Sequence, residues 1–343
     1  MARRPTIQDI ADAAGVSVAT VDRVLNGRLK VREETARKVS AAAHRVGYHA
    51  TNLIEQRLRA DLPEVRMGFV LQKEKQAFYR TFAEEIERAV RAAPDIRGKA
   101  LVEFAPSQSP TDVVAMLKTM KGRADVLAAT AVNHTQISEA VLELKGGGVE
   151  ICALLSDFAQ GERLSYVGLN NLKVGRIAAW MLATAARRTG KIALFVGGHR
   201  WHGHELRETG FRSYFREAKP EFQVLDTLVN LETRQLTYEA TLDLLARHPD
   251  VAGIYLAGGG MEGAIQALRE VRQPGQVALV VNELTPESRS ALSDGFLTMV
   301  ISTPLRQLCT DLVRMMADTV LQRDGRVVTQ HFLDPVIHLP ESV

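Results

Sequence analysis

From residue 67 to about residue 301 the chain repeats one theme, a short apolar run followed by a stretch with apolar residues at helical spacing. Strand-like runs fall at 67–71, 100–104, 126–129, 149–155, 166–169, 191–196, 222–228, 253–256, 277–281 and 298–301. Amphipathic stretches lie between most of them, at 82–93, 111–120, 174–186, 234–247 and 263–271. Repeated strand–helix–strand units bury both faces of a parallel sheet under helices, so the pattern restricts this region to a doubly wound α/β fold. About ten strands exceed one comfortable sheet, and two similar α/β lobes are the economical solution. Ligands in such folds bind where loops converge at the carboxyl ends of the strands. With 343 residues, 46% hydrophobic and 24% charged, the chain has material for two or three ordinary globular domains.

Residues 1–48 follow a different rule and read as short helices. Thr6 and Asp9 form a capping box with Asp in place of Glu or Gln, and Ile7, Ile10, Ala11 and Ala14 recur at helical spacing. Gly15 stops that helix. Ser17 N-caps a second, whose apolar face carries Val21, Val24 and Leu25 and which ends at Asn26-Gly27. A third is expected over 32–46, with Val39, Ala42, Ala43 and Val46 inward and Gly47 closing it. Residues 49–66 are polar and charged and read as a linker, with a short helix over 53–59.

Charge separates the two regions. Residues 1–60 hold eleven Lys/Arg and six acids, a net +5 against +3 for the whole chain, which leaves the remainder at −2. A basic head on a mildly acidic body is the footprint of a polyanion-binding module. Helix, tight turn, helix over 6–25 is a helix-turn-helix. Val16 plugs the gap between its helices, and the start of the second would enter the major groove. That places Val18, Ala19 and Arg23 at base edges. Arg23 offers a bidentate contact to guanine, while Val18 and Ala19 offer apolar contact to thymine methyls. Thr6, Ser17, Thr20 and Asn26 are candidates for phosphate contacts that set the register. The plainer alternative is a small helical bundle used for protein contacts.

Several classes are disfavoured. Cys152 and Cys309 stand in apolar surroundings and imply no disulfide framework. The N-terminus carries basic residues without an apolar run behind them, and no stretch of about 18 apolar residues exists, so the expectation is a cytoplasmic protein without a membrane partner. No G-x-S-x-G elbow or Cys beside a base is present, so no catalytic residues and no enzyme activity are expected. The histidines of His199-Arg200-Trp201-His202-Gly203-His204 invite a metal, but no further donors complete a tetrahedral site, and neither a metal nor a cofactor is expected. One rival remains open. Gly258-Gly259-Gly260-Met261-Glu262-Gly263 matches G-x-G-x-x-G between a strand and a helix, with Glu283 ending the next strand, as in a dinucleotide fingerprint. The plainer reading is that these glycines let the backbone approach a ligand or the opposite lobe.

The run Thr6-Ile-Gln-Asp-Ile-Ala-Asp-Ala-Ala-Gly-Val-Ser-Val-Ala-Thr-Val-Asp-Arg-Val-Leu-Asn-Gly resembles the headpiece of the lactose-repressor (LacI) family. Similarity continues through Glu33-Glu34-Thr35, Ala41-Ala42-Ala43 and Gly47-Tyr48, and returns in the body at Tyr166-Val-Gly-Leu-Asn-Asn followed by Gly175-Arg176. The resemblance implies a homodimeric repressor of a near-palindromic operator, a hinge helix in the minor groove, and a periplasmic-binding-protein-like sensor for a sugar or sugar derivative. It implies a headpiece at 1–48, a hinge at 49–66 and a sensor at 67–343, with one lobe at about 67–171 and 304–331 and the other at about 172–303 and 332–343. Carried over residue by residue, it nominates Phe78, Tyr79, Asn133, His134, Asp157, Arg207, Glu283 and Thr303 for the effector, and the neighbouring loop adds Trp201 and His202. Three departures stand out. Asp22 replaces the usual serine and would repel a nearby phosphate. The hinge around Ala50–Leu58 is atypical, with Leu58 the expected wedge into a base step and Leu53 the next candidate. Relatives commonly carry Asn-Asp where this chain has Ala257-Gly258-Gly259-Gly260.

Overall fold

In the computed structural model, residues 5–26, 31–49, 62–322 and 329–343 are described. They form two bodies, a helical head and an α/β body that begins near Arg66. The head contains α1 (Ile7–Ala14), α2 (Val18–Asn26) and α3 (Glu33–Val46). Thr6 caps α1 reciprocally with Asp9, so the short Asp side chain does close the box: Thr6 N donates to Asp9 Oδ2 at 2.7 Å and Asp9 N donates to Thr6 Oγ1 at 3.4 Å. Gly15 ends α1 at φ +66°, a left-handed conformation that a Cβ disfavours. Ile10, Ala11, Val21, Val24, Ala36, Val39, Ala42 and Ala43 make a small core, with Val16, Leu25, Val46 and Tyr48 packed on it. Residues 50–61 of the hinge expected at 49–66, with Leu53 and Leu58, lie outside the described residues, and its last three residues already belong to the first strand of the body.

The body has two sheets. The first lobe is built from β1 (Glu64–Leu71), α4 (Ala77–Ala92), β2 (Arg97–Phe104), α5 (Pro110–Met120), β3 (Val126–Ala129), α6 (Thr135–Gly146), β4 (Glu150–Leu154) and β5 (Ser165–Leu169). The second follows with α7 (Asn171–Ala185), β6 (Lys191–Val196), α8 (His202–Ala218), β7 (Gln223–Val224), β8 (Leu228–Val229), α9 (Arg234–Arg247), β9 (Val251–Leu256), α10 (Met261–Val271), β10 (Ala278–Asn282), α11 (Pro286–Ser293) and β11 (Met299–Ser302). The chain then returns through α12 (Leu305–Leu321) to β12 (Gln330–Leu333) and crosses once more to β13 (Val336–His338). The strand orders are β12-β5-β4-β3-β1-β2 and β13-β11-β10-β9-β6-β7, with β8 also on β6. Parallel pairing runs through β1–β3–β4–β5–β12 and β7–β6–β9–β10–β11, and β13 joins β11 antiparallel.

The central strands read as continuous apolar runs because helices cover both faces: β3, β9, β10 and β11 are buried at every residue. Each lobe has its own core. One gathers Val70, Leu127, Ile151 and Phe158; the other gathers Phe195, Ile254, Leu268 and Val281. Two features depart from the sequence reading. The expected strand at 222–228 is split into β7 and β8; between them Leu225 N still donates to Ile192 O of β6 at 2.9 Å, while Arg212 Nη2 donates to Leu225 O at 2.9 Å and to Thr227 Oγ1 at 2.7 Å. The edge strands β12 and β13 were not expected at all. Each holds only two consecutive apolar residues, Phe332-Leu333 and Val336-Ile337, too short a run to mark a strand, and of their residues only Leu333 is buried.

Candidate functional site

A cleft of about 940 Å³, counting its open mouth, lies between the lobes at the carboxyl ends of their strands. The loop after β1 and the first turn of α4 supply Gln76, Phe78 and Tyr79; the loop after β3 supplies Thr130, and that after β4 supplies Leu155 and Ser156. From the second lobe come Trp201, His204 and Arg207 at the start of α8, Glu232 before α9, Gly258–Gly260 before α10, Asn282 and Glu283 after β10, and Thr303 after β11. Strand ends converge only at this edge, which is why residues so far apart in sequence meet.

Arg207 is the most constrained polar group. It is 9% exposed, its Nε donates to Asn171 Oδ1 at 2.7 Å and its Nη1 to Ala257 O at 2.6 Å. Asn171 is oriented in turn by donating to Tyr166 Oη and Leu155 O. Glu283 accepts from Thr303 N at 2.9 Å and Thr303 Oγ1 at 2.7 Å; burial raises its pKa above the ordinary carboxylate value against those bonds. Asn282 donates to Leu256 O at 2.8 Å, while its Oδ1 is buried without a partner. A buried acceptor left open at a cleft wall is a place for a ligand hydroxyl. Tyr79 is pushed up by burial and by the Glu232 and Glu283 charges, so it stays a neutral phenol and keeps its donor.

Glu232 forms a second polar knot. It pairs with Lys73 and accepts from Gln108 Nε2 at 3.2 Å and Gly259 N at 3.0 Å. Burial would raise its pKa, but the Lys73 ammonium, the nearby His204 ring and the bonds from Lys73 and Gly259 N lower it to about 2. His204 Nδ1 accepts from Gly197 N at 3.1 Å, which leaves the ring proton on Nε2; burial lowers its pKa to about 4, so the ring is neutral at pH 7. Backbone strain collects here too. Lys73 (φ 49°), Leu155 (64°), Glu232 (54°) and Glu283 (70°) are left-handed non-glycine residues, and all four border the cleft or contact its wall.

Of the residues nominated from sequence, Phe78, Tyr79, Trp201, Arg207, Glu283 and Thr303 meet in this cleft. Asn133, His134, Asp157 and His202 are not among its walls, and each has a local role. Asn133 N donates to Arg200 O, and His134 N-caps α6 by accepting from Gln136 N. Asp157 is buried in an ion pair with Arg163, and His202 faces Glu205. The sequence reading missed Gln76, Thr130, Ser156, His204, Glu232 and Asn282. His204 stood out only as part of the histidine run at 199–204, and Glu232 carried no signal, because an irregular loop aims it. Asn282 and Thr130 were readable in part, as polar residues closing apolar strands.

The G-x-G-x-x-G stretch is also explained by packing. A Cβ on Gly258 would stand 2.6 Å from His204 Cε1 and 2.8 Å from Glu232 Oε1, and Gly260 starts α10 at φ +92°. Side chains of the protein thus occupy the directions in which Cβ atoms would point, while the glycine backbone itself lines the cleft.

On the head, Val18, Ala19 and Arg23 are exposed along α2 while Val21 and Val24 face the core. Thr6 is engaged with Asp9, and Ser17 Oγ with Thr20 Oγ1 at 2.9 Å and Thr20 N at 3.2 Å. Asn26 Nδ2 donates to Asp22 Oδ1 at 2.6 Å, so the atypical acid holds an expected phosphate contact.

Comparison with known proteins agrees with both bodies. Residues 67–323 match the periplasmic binding protein domain, and residues 6–51 match the bacterial regulatory proteins of the lacI family. The chain is 28% identical over 284 residues to the HTH-type transcriptional regulator GntR of Pseudomonas aeruginosa, covering 81% of this chain and 79% of that protein. It is 24% identical over 341 residues to the ribose operon repressor of Bacillus subtilis, covering 98% and 95%. Among solved structures, a periplasmic solute-binding protein from Actinobacillus succinogenes with bound D-allose superposes with a TM-score of 0.74 at 18% identity, over 81% of this chain and 98% of that one. With this head and this two-lobed body joined in one chain, the protein belongs to the lacI family of bacterial regulatory proteins.

Proposed function

We propose that this protein is a sequence-specific transcriptional repressor whose grip on DNA is set by a sugar or sugar derivative bound between the lobes of residues 67–343. The observation that carries the reading is the composition of the cleft. Aromatic Phe78, Tyr79 and Trp201 stand beside Arg207, Glu283 and the partnerless Asn282 Oδ1, a mixture that suits a ring with an apolar face and a hydroxyl-rich rim. The relatives named as regulators and the sugar-bound structural neighbours support the same assignment.

In this reading a homodimer presents two α2 helices to a near-palindromic operator, with Arg23, Val18 and Ala19 at the bases and Lys/Arg neutralising phosphates, so affinity falls steeply with salt. Phe78, Tyr79, Trp201, Arg207, Glu283 and Thr303 hold the effector. Effector and operator are coupled reciprocally, typically by about 1–3 kcal/mol. Selection of genomic fragments by the purified full-length protein, with and without a panel of monosaccharides and polyols, tests both halves. Enrichment of a palindrome that one sugar weakens or strengthens supports the proposal; no enrichment under any condition overturns it.

A further inference from the structure

Glu232 is the least expected group in the cleft. It does not end a strand of the main sheet; it sits in the loop between β8 and α9, where Leu231 (φ 47°) and Glu232 (φ 54°) are left-handed in succession. Non-glycine residues adopt that conformation only where the surroundings enforce it. The surroundings here are glycines. A Cβ on Gly197 would overlap Glu232 Cγ, one on Gly258 would stand 2.8 Å from Glu232 Oε1, and one on Gly259 would stand 3.1 Å from Glu232 Cβ. The bare backbone after β6 and β9 makes the space, and Glu232 fills it.

Its partners come from both lobes. Lys73 follows β1 and Gln108 precedes α5, both in the first lobe; each donates to Oε2 of Glu232. Gln76, also of the first lobe, donates to Glu232 O at 3.4 Å. From the second lobe Gly259 N donates to Oε1. The side chains of Lys73 and Glu232 are 18% and 13% exposed, so water screens their attraction weakly. Lys73 is itself left-handed, so the backbone is strained at both ends of the pair. A carboxylate has about four acceptor positions. Three are engaged, and the fourth lies toward His204 Nε2 at 3.7 Å, too long for a hydrogen bond.

We propose that Glu232 is a specificity-determining carboxylate of the cleft, delivered from the loop before α9 into space left by Gly197, Gly258 and Gly259, and that its pairing with Lys73 and Gln108 clasps the two lobes over the effector. The clasp closes the cleft before effector arrives. The one open acceptor position then selects a ligand donor at that point, a role that rests on the sugar reading above. Because Lys73 belongs to the other lobe, a ligand that reaches this position senses closure directly.

The test measures lobe separation without any sugar. Spin labels are placed at two exposed positions, Leu142→Cys in α6 and Val271→Cys in α10, in full-length protein diluted with unlabelled chains; native Cys152 and Cys309 are buried. The parent should show one narrow distance by electron–electron double resonance. Lys73→Met and Glu232→Gln should each raise the population at longer distance at least fivefold, and the milder Gln108→Ala should raise it less. Unchanged distributions in folded Lys73→Met and Gln108→Ala overturn the clasp, even if Glu232→Gln fails to fold. A second arm titrates D-ribose, D-allose, D-arabinose and myo-inositol into parent and Glu232→Gln protein. A changed ranking supports selection by Glu232, and an unchanged ranking with unchanged affinities overturns it. If none of the four binds the parent, the sugar reading falls, and the distances alone decide the clasp.

Discussion

In the head, the three residues expected at base edges, Val18, Ala19 and Arg23, sit on one nine-residue helix, are exposed, and follow one another within two turns. In the cleft, the corresponding groups are mostly buried and come from loops after β1, β3, β4, β6, β8, β9, β10 and β11. In the proposed function the head reads a polyanion, where exposed donors and long-range charge suffice and no ligand-shaped cavity is needed. The body, in the same proposal, encloses a small molecule, where affinity depends on desolvated polar groups fixed beforehand by neighbours such as Asn171 for Arg207 and Thr303 for Glu283. The lesson is that function legible along a helix is local, while function in a cleft is a property of topology.

That contrast can be broken by experiment. Arg207→Ala should abolish any sugar-induced rise in Tm, since it removes the fork that anchors the cleft and leaves Asn171 Oδ1 and Ala257 O without their donor. The head of this variant should still bind nonspecific DNA at low salt. A retained sugar response would place the effector elsewhere.

The next effect is a pH dependence of the body. His204 is lowered from 6.5 to about 4 by burial, so the unfolded chain takes up its proton first as pH falls. Its contribution is intact above about pH 6.5 and is lost progressively down to about pH 4, roughly 3 kcal/mol in all. Denaturant melts across that window should show the slope, and His204→Asn should flatten it. Glu232, held at about 2, contributes stability above about pH 4.5 that is lost only below it, so the two windows are separable.

Arg23→Ala should weaken operator binding by about 1–3 kcal/mol and relax the preference at one base pair, with the sugar-induced Tm shift unchanged. A competition assay with single-base operator variants reads this directly. The smallest effect is expected from Asp22→Ser. It frees the Asn26 amide and removes an acid near phosphate, so affinity should rise a few-fold, about 0.5–1 kcal/mol, and most clearly at low salt. A fall in affinity would mean that the Asp22–Asn26 bond positions the end of α2.

Much of the architecture was written in the pattern. The capping box at Thr6 and Asp9, the left-handed stops at Gly15 and Gly47, and the unbroken apolar runs of β3, β9 and β10 are consequences of residues within a few positions of one another, where propensity and periodicity act. Arg207 and Glu283 could be nominated from the family resemblance, and Trp201 from the loop before α8. Asn133, His134 and Asp157 came from the same resemblance and His202 from the same loop, yet none of them lines the cleft, since a likeness in position does not state which way a loop turns. Their partners, Arg200, Gln136, Arg163 and Glu205, are within one loop or helix turn for all but Asn133.

By itself, then, the sequence determined the helical head, its basic charge, the two-lobed α/β body and the edge at which a ligand must bind, because these follow from local periodicity and from the chirality of strand–helix connections. Tertiary structure alone decided that three glycines after β6 and β9 make room for Glu232, that Lys73 reaches it from the other lobe, and that Asn282 keeps an open acceptor. Those contacts join residues as many as 159 positions apart. No pattern along the chain encodes them, since each exists only once the sheets have brought distant loops to a common edge.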